Sequence, residues 1–294
     1  MSSSPSAQPT SGASNPASNR EVVAGLVRPL VASQEIDVPV LPEIAARVVA
    51  LASSEKADTT RLTRLIIADQ SLATHVMRVA TMAVQQPATP ITGLPQAITW
   101  LGLSAVADIA FTVAMQGKIL NVPGHKAQLL SMWREAVASG LWAREIAGVC
   151  RHPADAAYLQ GLLHQIGRPI VVSAVADVAR RERIVLPDDD LMAIVTEFEG
   201  DVGELVVRSW RLPPSIAAVV RHWQDLRAPA EFRVDAAITG LAHRFAHYSL
   251  GEDSDLAREA LLADQRVAEL GIDETDLENL LNRTERVLAQ VRTY

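Results

Sequence analysis

The chain has a single cysteine, Cys150, among its 294 residues. An intrachain disulfide is therefore excluded, and a reducing, cytoplasmic setting is the simple expectation. Cys150 ends an apolar helical run, which reads as a buried, inert thiol. No apolar run approaches the roughly 20 residues that a membrane span needs. The first residues lack a basic segment followed by an apolar one, so no secretory signal is expected. Acidic side chains outnumber Lys and Arg by 34 to 27. A broad basic surface for nucleic acid is not expected from that balance, and scattered arginines give a nucleic-acid regulator little support. Gly102-Leu103-Ser104 lacks the lysine and spacing of a phosphate loop. A serine-centred nucleophile elbow is absent as well. There is no alternating apolar strand pattern, no hairpin dipeptide between apolar runs and no fixed-period repeat.

What remains is helical periodicity on a chain that is 49% hydrophobic, enough for one large core or two modest ones. Residues 1–19, rich in Ser, Pro, Ala and Asn, have little to bury and read as a disordered tail. From Arg20 onward, Val22, Val23, Leu26, Val27 and Leu30 form an apolar stripe. Pro42 suits the first turn of a second helix, where its missing N–H costs nothing. Asp58 or Thr59 can cap a third, which presents Leu62, Leu65 and Ile66; Asp69 can cap a fourth, with Leu72, Val76 and Val79. Pro87 and Pro90 mark a loop. A short helix over 94–101 ends at Gly102, and Ser104 is placed to cap the apolar helix through Ile119. Asn121 to Gly124 is a turn cluster and the best internal boundary. Beyond it a long helix spans about 126–149. Further helices follow over 188–198, 201–210, 214–223 and 234–250, with a last amphipathic one capped by Asp273. The fold class is all-α: a helical N-terminal lobe over 20–120 packed on a second helical lobe over 121–294.

Three stretches together resemble the HDOD family, bacterial signalling domains related to HD phosphohydrolases. The first is Val40-Leu41-Pro42-Glu43-Ile44. The second runs from Ile67-Ala68-Asp69-Gln70-Ser71-Leu72 through Ile91-Thr92-Gly93-Leu94-Pro95-Gln96-Ala97-Ile98 to Leu101-Gly102. The third is Gly161-Leu162-Leu163-His164-Gln165-Ile166-Gly167, with Trp210-Arg211-Leu212-Pro213-Pro214 and Arg221-His222-Trp223 after it. The match covers about 38–250. The resemblance implies that the second lobe is HD-like and that the protein serves bacterial signal transduction, in motility or cyclic-dinucleotide signalling, rather than metabolism.

The resemblance also assigns positions to the hydrolase ligands. HD enzymes need a histidine from one helix, an adjacent His-Asp pair from another and a later aspartate, leaving a coordination position for water. Those positions fall near Glu135, on His164-Gln165 and near His243. One of four keeps its residue type. Gln165 matters most, because a neutral amide cannot supply the charge of a bridging carboxylate. Two readings of the cluster stand. His164 can be a buried helical histidine hydrogen-bonded near Gln165 or to Glu135. Alternatively, Glu135, His164, Gln165 and His243, with Glu199 nearby, can form a ligand pocket that needs no metal.

The resulting expectation is a non-catalytic regulator with no cofactor, acting on a protein partner, with room for a small ligand. The rival is a divergent metal-dependent phosphohydrolase acting on a nucleotide or cyclic dinucleotide. His243 and His247 lie one helical turn apart, a spacing that suits zinc but reads first as a surface or capping pair. Glu199-Gly200-Asp201 reads as a helix stop and restart, with Gly200 as C-cap and Asp201 as N-cap. Trp133, Trp142, Trp210 and Trp223 read first as core, with a partner groove as the alternative. Asp188-Asp189-Asp190 at a helix start and Arg180-Arg181 near a helix end suit the helix dipole.

Overall fold

The structure is a computed structural model that describes residues 16–52, 64, 66–83, 91, 93–119, 122–225, 227–251 and 258–294. The expected cap at Asp58 or Thr59, the loop prolines Pro87 and Pro90, and Asn121 lie outside those residues, as does most of the tail. Among the described residues every regular element is helical and there is no strand, so the protein is all-α. Among them, too, no single helix is long and apolar enough to cross a membrane.

The first helices are α1 (Pro16–Ala32), α2 (Glu43–Ala52), α3 (Gln70–Ala83), α4 (Leu94–Leu101) and α5 (Leu103–Ile119). Helix α1 takes in the last four residues of the expected tail, and its stripe turns Val23 and Val27 inward while Val22 and Leu26 stay exposed. Asp69 caps α3 as its position suggested: its carboxylate accepts from the backbone N–H of Ser71 and Leu72 at 2.9 and 3.1 Å. Gly102 closes α4 with a positive φ of 81°. Ser104 is not a cap. Helix α5 begins at Leu103, and the Ser104 hydroxyl instead donates to Asp155.

The following helices build the site. They are α6 (Lys126–Val149), α7 (Ala154–Leu163), α8 (Gly167–Glu182), α9 (Asp188–Ser209), α10 (Pro214–His222) and α11 (Arg233–Leu250). Helix α6 is buried along much of its length and packs against α7 and α11. The α6–α7 crossing is close because it is made on glycines: a Cβ at Gly161 would lie 2.6 Å from the Ser139 carbonyl. Four short helices complete the chain: α12 (Arg258–Leu262), α13 (Gln265–Glu269), α14 (Glu274–Leu281) and α15 (Thr284–Val291). The single last helix read from the sequence is thus two. Asp273 caps only the first, accepting from the Asp276 N–H at 2.8 Å. The terminal helices reach across the chain, α1 packing on α8 and α9, and α15 on α3 and α6.

Helix α9 corrects the reading of Glu199-Gly200-Asp201. It runs unbroken through all three, and Gly200 does not take the positive φ of a helix-ending glycine. The glycines nearby answer to packing instead. A Cβ at Gly167 would lie 2.0 Å from the Glu199 carbonyl oxygen and 2.7 Å from the Gly203 nitrogen. The start of α8 therefore rests directly on the backbone of α9. All four expected core tryptophans are buried.

Candidate functional site: a buried histidine and glutamate cluster

Helices α6, α7, α8 and α11 bring five ionisable side chains into one cluster. Glu135 sits on the inner face of α6 between Trp133 and Val137 and is buried. His164 follows the last residue of α7 and is 1% exposed. Its Nδ1 lies 2.7 Å from the Gly161 carbonyl oxygen. A carbonyl only accepts, so Nδ1 carries the proton and Nε2 presents a lone pair. The contact arises because the last carbonyls of a helix lack partners within it.

The Nε2 of His164 faces His243 Nδ1 at 3.2 Å. His243 Nδ1 also lies 3.3 Å from Glu135 Oε1. One turn further along α11, His247 Nε2 is 3.1 Å from the same oxygen. Arg168, in the first turn of α8, closes the other side. Its Nη1 is 3.4 Å from each Glu135 oxygen and donates to Gln165 Oε1 at 3.0 Å, while its Nε is 3.4 Å from Glu199 Oε2. Trp223, the C-cap of α10, sets its ring edge-on to His164 with centroids 4.8 Å apart.

The electrostatics follow from burial. Desolvation penalises an imidazolium most, and it holds His164 down to about 4 despite the nearby Glu135 charge. Burial, then the neighbouring His164 and His247, push His243 down as well. Burial alone would raise the Glu135 carboxyl. The His247 hydrogen bond and the Arg168 charge outweigh it, and Glu135 lies below its ordinary value. Glu199 goes the other way, raised by burial beyond what Arg168 takes back. At neutral pH the cluster thus holds the Glu135 carboxylate and the neutral rings of His164 and His243 beside the Arg168 guanidinium. With a proton on His243 Nδ1 directed at His164, and one on His247 Nε2 directed at Glu135, the ring nitrogens turned toward one another are matched without a metal.

Beside it lies a cleft of about 220 Å³, lined in part by His164, Gln165, Glu199, Arg221, Trp223 and Gln224. His164, Gln165 and Glu199 thus border both the buried cluster and this opening.

The structure brings together Glu135, His164 and His243, with Gln165 and Glu199 joined to them through Arg168. The expected bond of His164 near Gln165 or to Glu135 is replaced by those to Gly161 and His243. The reading of His243 and His247 as a surface or capping pair is also corrected. Both are only partly exposed, and both face Glu135. Sequence reasoning gave Arg168 no role and did not place Trp223 beside His164. The one available signal for His247 was its spacing from His243, which does not say which helix the pair faces.

These features define an all-α protein whose helices gather a buried histidine and glutamate cluster. The family model for the HDOD domain matches residues 38–226. The chain belongs to the HDOD family. Similar solved structures share its fold. A candidate metal-dependent phosphohydrolase from Shewanella amazonensis SB2B is 21% identical, with TM-score 0.68, over 93% of this chain and 99% of its own. An HDOD domain protein of unknown function from Geobacter sulfurreducens is 19% identical, with TM-score 0.68, over 94% and 97%. A candidate signal transduction protein from Marinobacter aquaeolei VT8 is 20% identical, with TM-score 0.64, over 94% of this chain and 66% of its own. No curated protein matches the chain.

Proposed function

We propose that this protein is a non-catalytic regulator of bacterial signal transduction. It binds a signalling protein, and the cleft beside His164 accepts a small polar ligand. The reading places it in motility or cyclic-dinucleotide signalling, as the family resemblance implies. The observation that carries it is the partner of Gln165. Where a hydrolase needs a second carboxylate beside its histidine, an amide accepts a hydrogen bond from Arg168, and that guanidinium also balances Glu135 and Glu199. Hydrolysis at a metal centre needs carboxylates free to hold the ion and a polarised water. Here no second carboxylate stands beside His164, and Arg168 lies against both Glu135 and Glu199. Affinity capture from the native host tests the reading. A reproducible partner is expected, lost on substitutions lining the cleft; none above a scrambled-surface control would count against it.

A second reading is favoured by a specific observation. Oxygen and nitrogen donors of Glu135, His243 and His247 converge, and three protein donors leave a coordination position for water. On this reading the protein is a divergent phosphohydrolase for a nucleotide or cyclic dinucleotide; the Shewanella neighbour is described as a candidate metal-dependent phosphohydrolase, with no substrate named. Turnover by tag-free, metal-supplied protein separates the two.

A further inference from the structure

We infer that Glu135, His243 and His247 form a binding site for one late first-row transition-metal dication of the zinc class, displaced by one helical turn from the ligand positions implied by the hydrolase resemblance. Those positions were Glu135, His164, Gln165 and His243. The proposed site drops His164 and Gln165 and takes in His247. The inference rests on reading this cluster as the functional one, but it does not depend on whether the protein turns over a substrate.

The geometry carries it. One ligand atom from each of the three residues lies within 4.8 Å of the other two. Two of these separations are 3.3 and 3.1 Å, from Glu135 Oε1 to His243 Nδ1 and to His247 Nε2. Bonds of about 2.0–2.1 Å to a tetrahedral zinc place neighbouring donors about 3.3 Å apart. Two histidines four residues apart on one helix, with a carboxylate from another, form a mixed nitrogen and oxygen set suited to such an ion. The ligands stand on α6 and α11, which pack along each other, so rigid elements hold the site.

The protons allow it. His243 and His247 bind metal through lone pairs, and each ring has a second nitrogen to take its proton. His164 is held by Gly161 in the tautomer that points a lone pair at His243 Nδ1, so metal binding at that nitrogen gives up the hydrogen bond between the two rings. Arg168 opposes the ion. Its guanidinium beside Glu135 weakens the attraction for a dication, and Glu199 takes up part of that charge. The site is therefore expected to bind more weakly than the same ligands without the arginine.

The test uses full-length, tag-free protein stripped with chelator, then titrated with Zn²⁺ and separately with Co²⁺. One equivalent of Zn²⁺ is expected by elemental analysis after gel filtration, and the Co²⁺ form should show a visible absorption band of a low-coordinate site. His247→Ala, at a partly exposed position, should weaken Zn²⁺ at least tenfold, as should Glu135→Gln, while His75→Ala on α3 leaves it unchanged. Circular dichroism establishes that each variant is folded. Failure to retain one equivalent, or undiminished binding in folded His247→Ala, overturns the inference. Metal uptake without turnover leaves the regulator reading intact, whereas turnover with the metal defeats that reading and not this one.

Discussion

His247 Nε2 lies 3.1 Å from Glu135 Oε1, joining residues 112 positions apart on α11 and α6. Glu135 is the hub of the cluster, the acceptor that His243, His247 and Arg168 all face. Removing its charge leaves the Arg168 guanidinium short of a partner in a buried setting. Glu135→Leu should destabilise the protein by about 3 kcal/mol, read by urea denaturation. Arg168→Met in the same background should cost little more, because the charge left unpaired is then gone.

Two glycines on packed helices, Gly167 on α8 and Gly200 on α9, should respond in opposite directions to the same change. Gly167→Ala places a methyl 2.0 Å from the Glu199 carbonyl, and backbone on both sides leaves no flexible neighbour to yield. The loss should reach about 3 kcal/mol, at the upper end for overpacking. Gly200, inside α9, has nothing within 4 Å of a built Cβ. Gly200→Ala should stabilise by about 0.5–1 kcal/mol through helix propensity. Thermal melts of the two variants check both signs, and a destabilised Gly200→Ala would restore a helix break at that point.

That pair also shows where sequence reading stops. Helix α6 was legible because its apolar residues recur over 24 positions, and Asp69 and Asp273 were legible as caps because their signals are local. Gly200 looked like a helix end because glycine commonly is one; the continuity of α9 depends on packing against α8, which no local pattern records. The site divides in the same way. Glu135, His164 and His243 were found through the family pattern. His247 and Arg168 were not, because their roles depend on which face of α11 and of α8 meets α6.

Acid should weaken the metal-free protein in a defined window. The unfolded His164 takes a proton near 6.5, whereas burial keeps the folded ring neutral down to about 4. Its contribution is therefore complete above 6.5 and is lost as pH falls toward 4. Glu135, held below its ordinary value, adds loss in the same direction at lower pH; Glu199, raised by burial, acts oppositely. Stability from urea melts should fall below pH 6.5 by up to about 1.4 kcal/mol per pH unit for each proton. His243, also pushed down by burial, adds to the same loss, so His164→Gln should reduce that slope without abolishing it.

Cys150 should be slow to react. Burial first, and the Asp276 charge second, push its thiol up to about 11. Little thiolate exists at neutral pH, and thiolate is the reactive form. Iodoacetamide labelling of the folded protein should stay slow at pH 8 and accelerate as pH rises toward 11, while urea-unfolded protein reacts readily at pH 8. Fast labelling of the folded protein at pH 8 would contradict this.

The most direct measurement is phosphodiesterase and phosphatase turnover by tag-free protein and by Gln165→Asp, supplied with Mn²⁺ or Zn²⁺ against nucleotides and cyclic dinucleotides. The expected result is no turnover by either, because restoring one carboxylate leaves Glu135 and His243 in place of the other ligands and Arg168 still beside them. Metal-dependent turnover that His164→Ala abolishes, in either form, would contradict the assignment of a non-catalytic regulator.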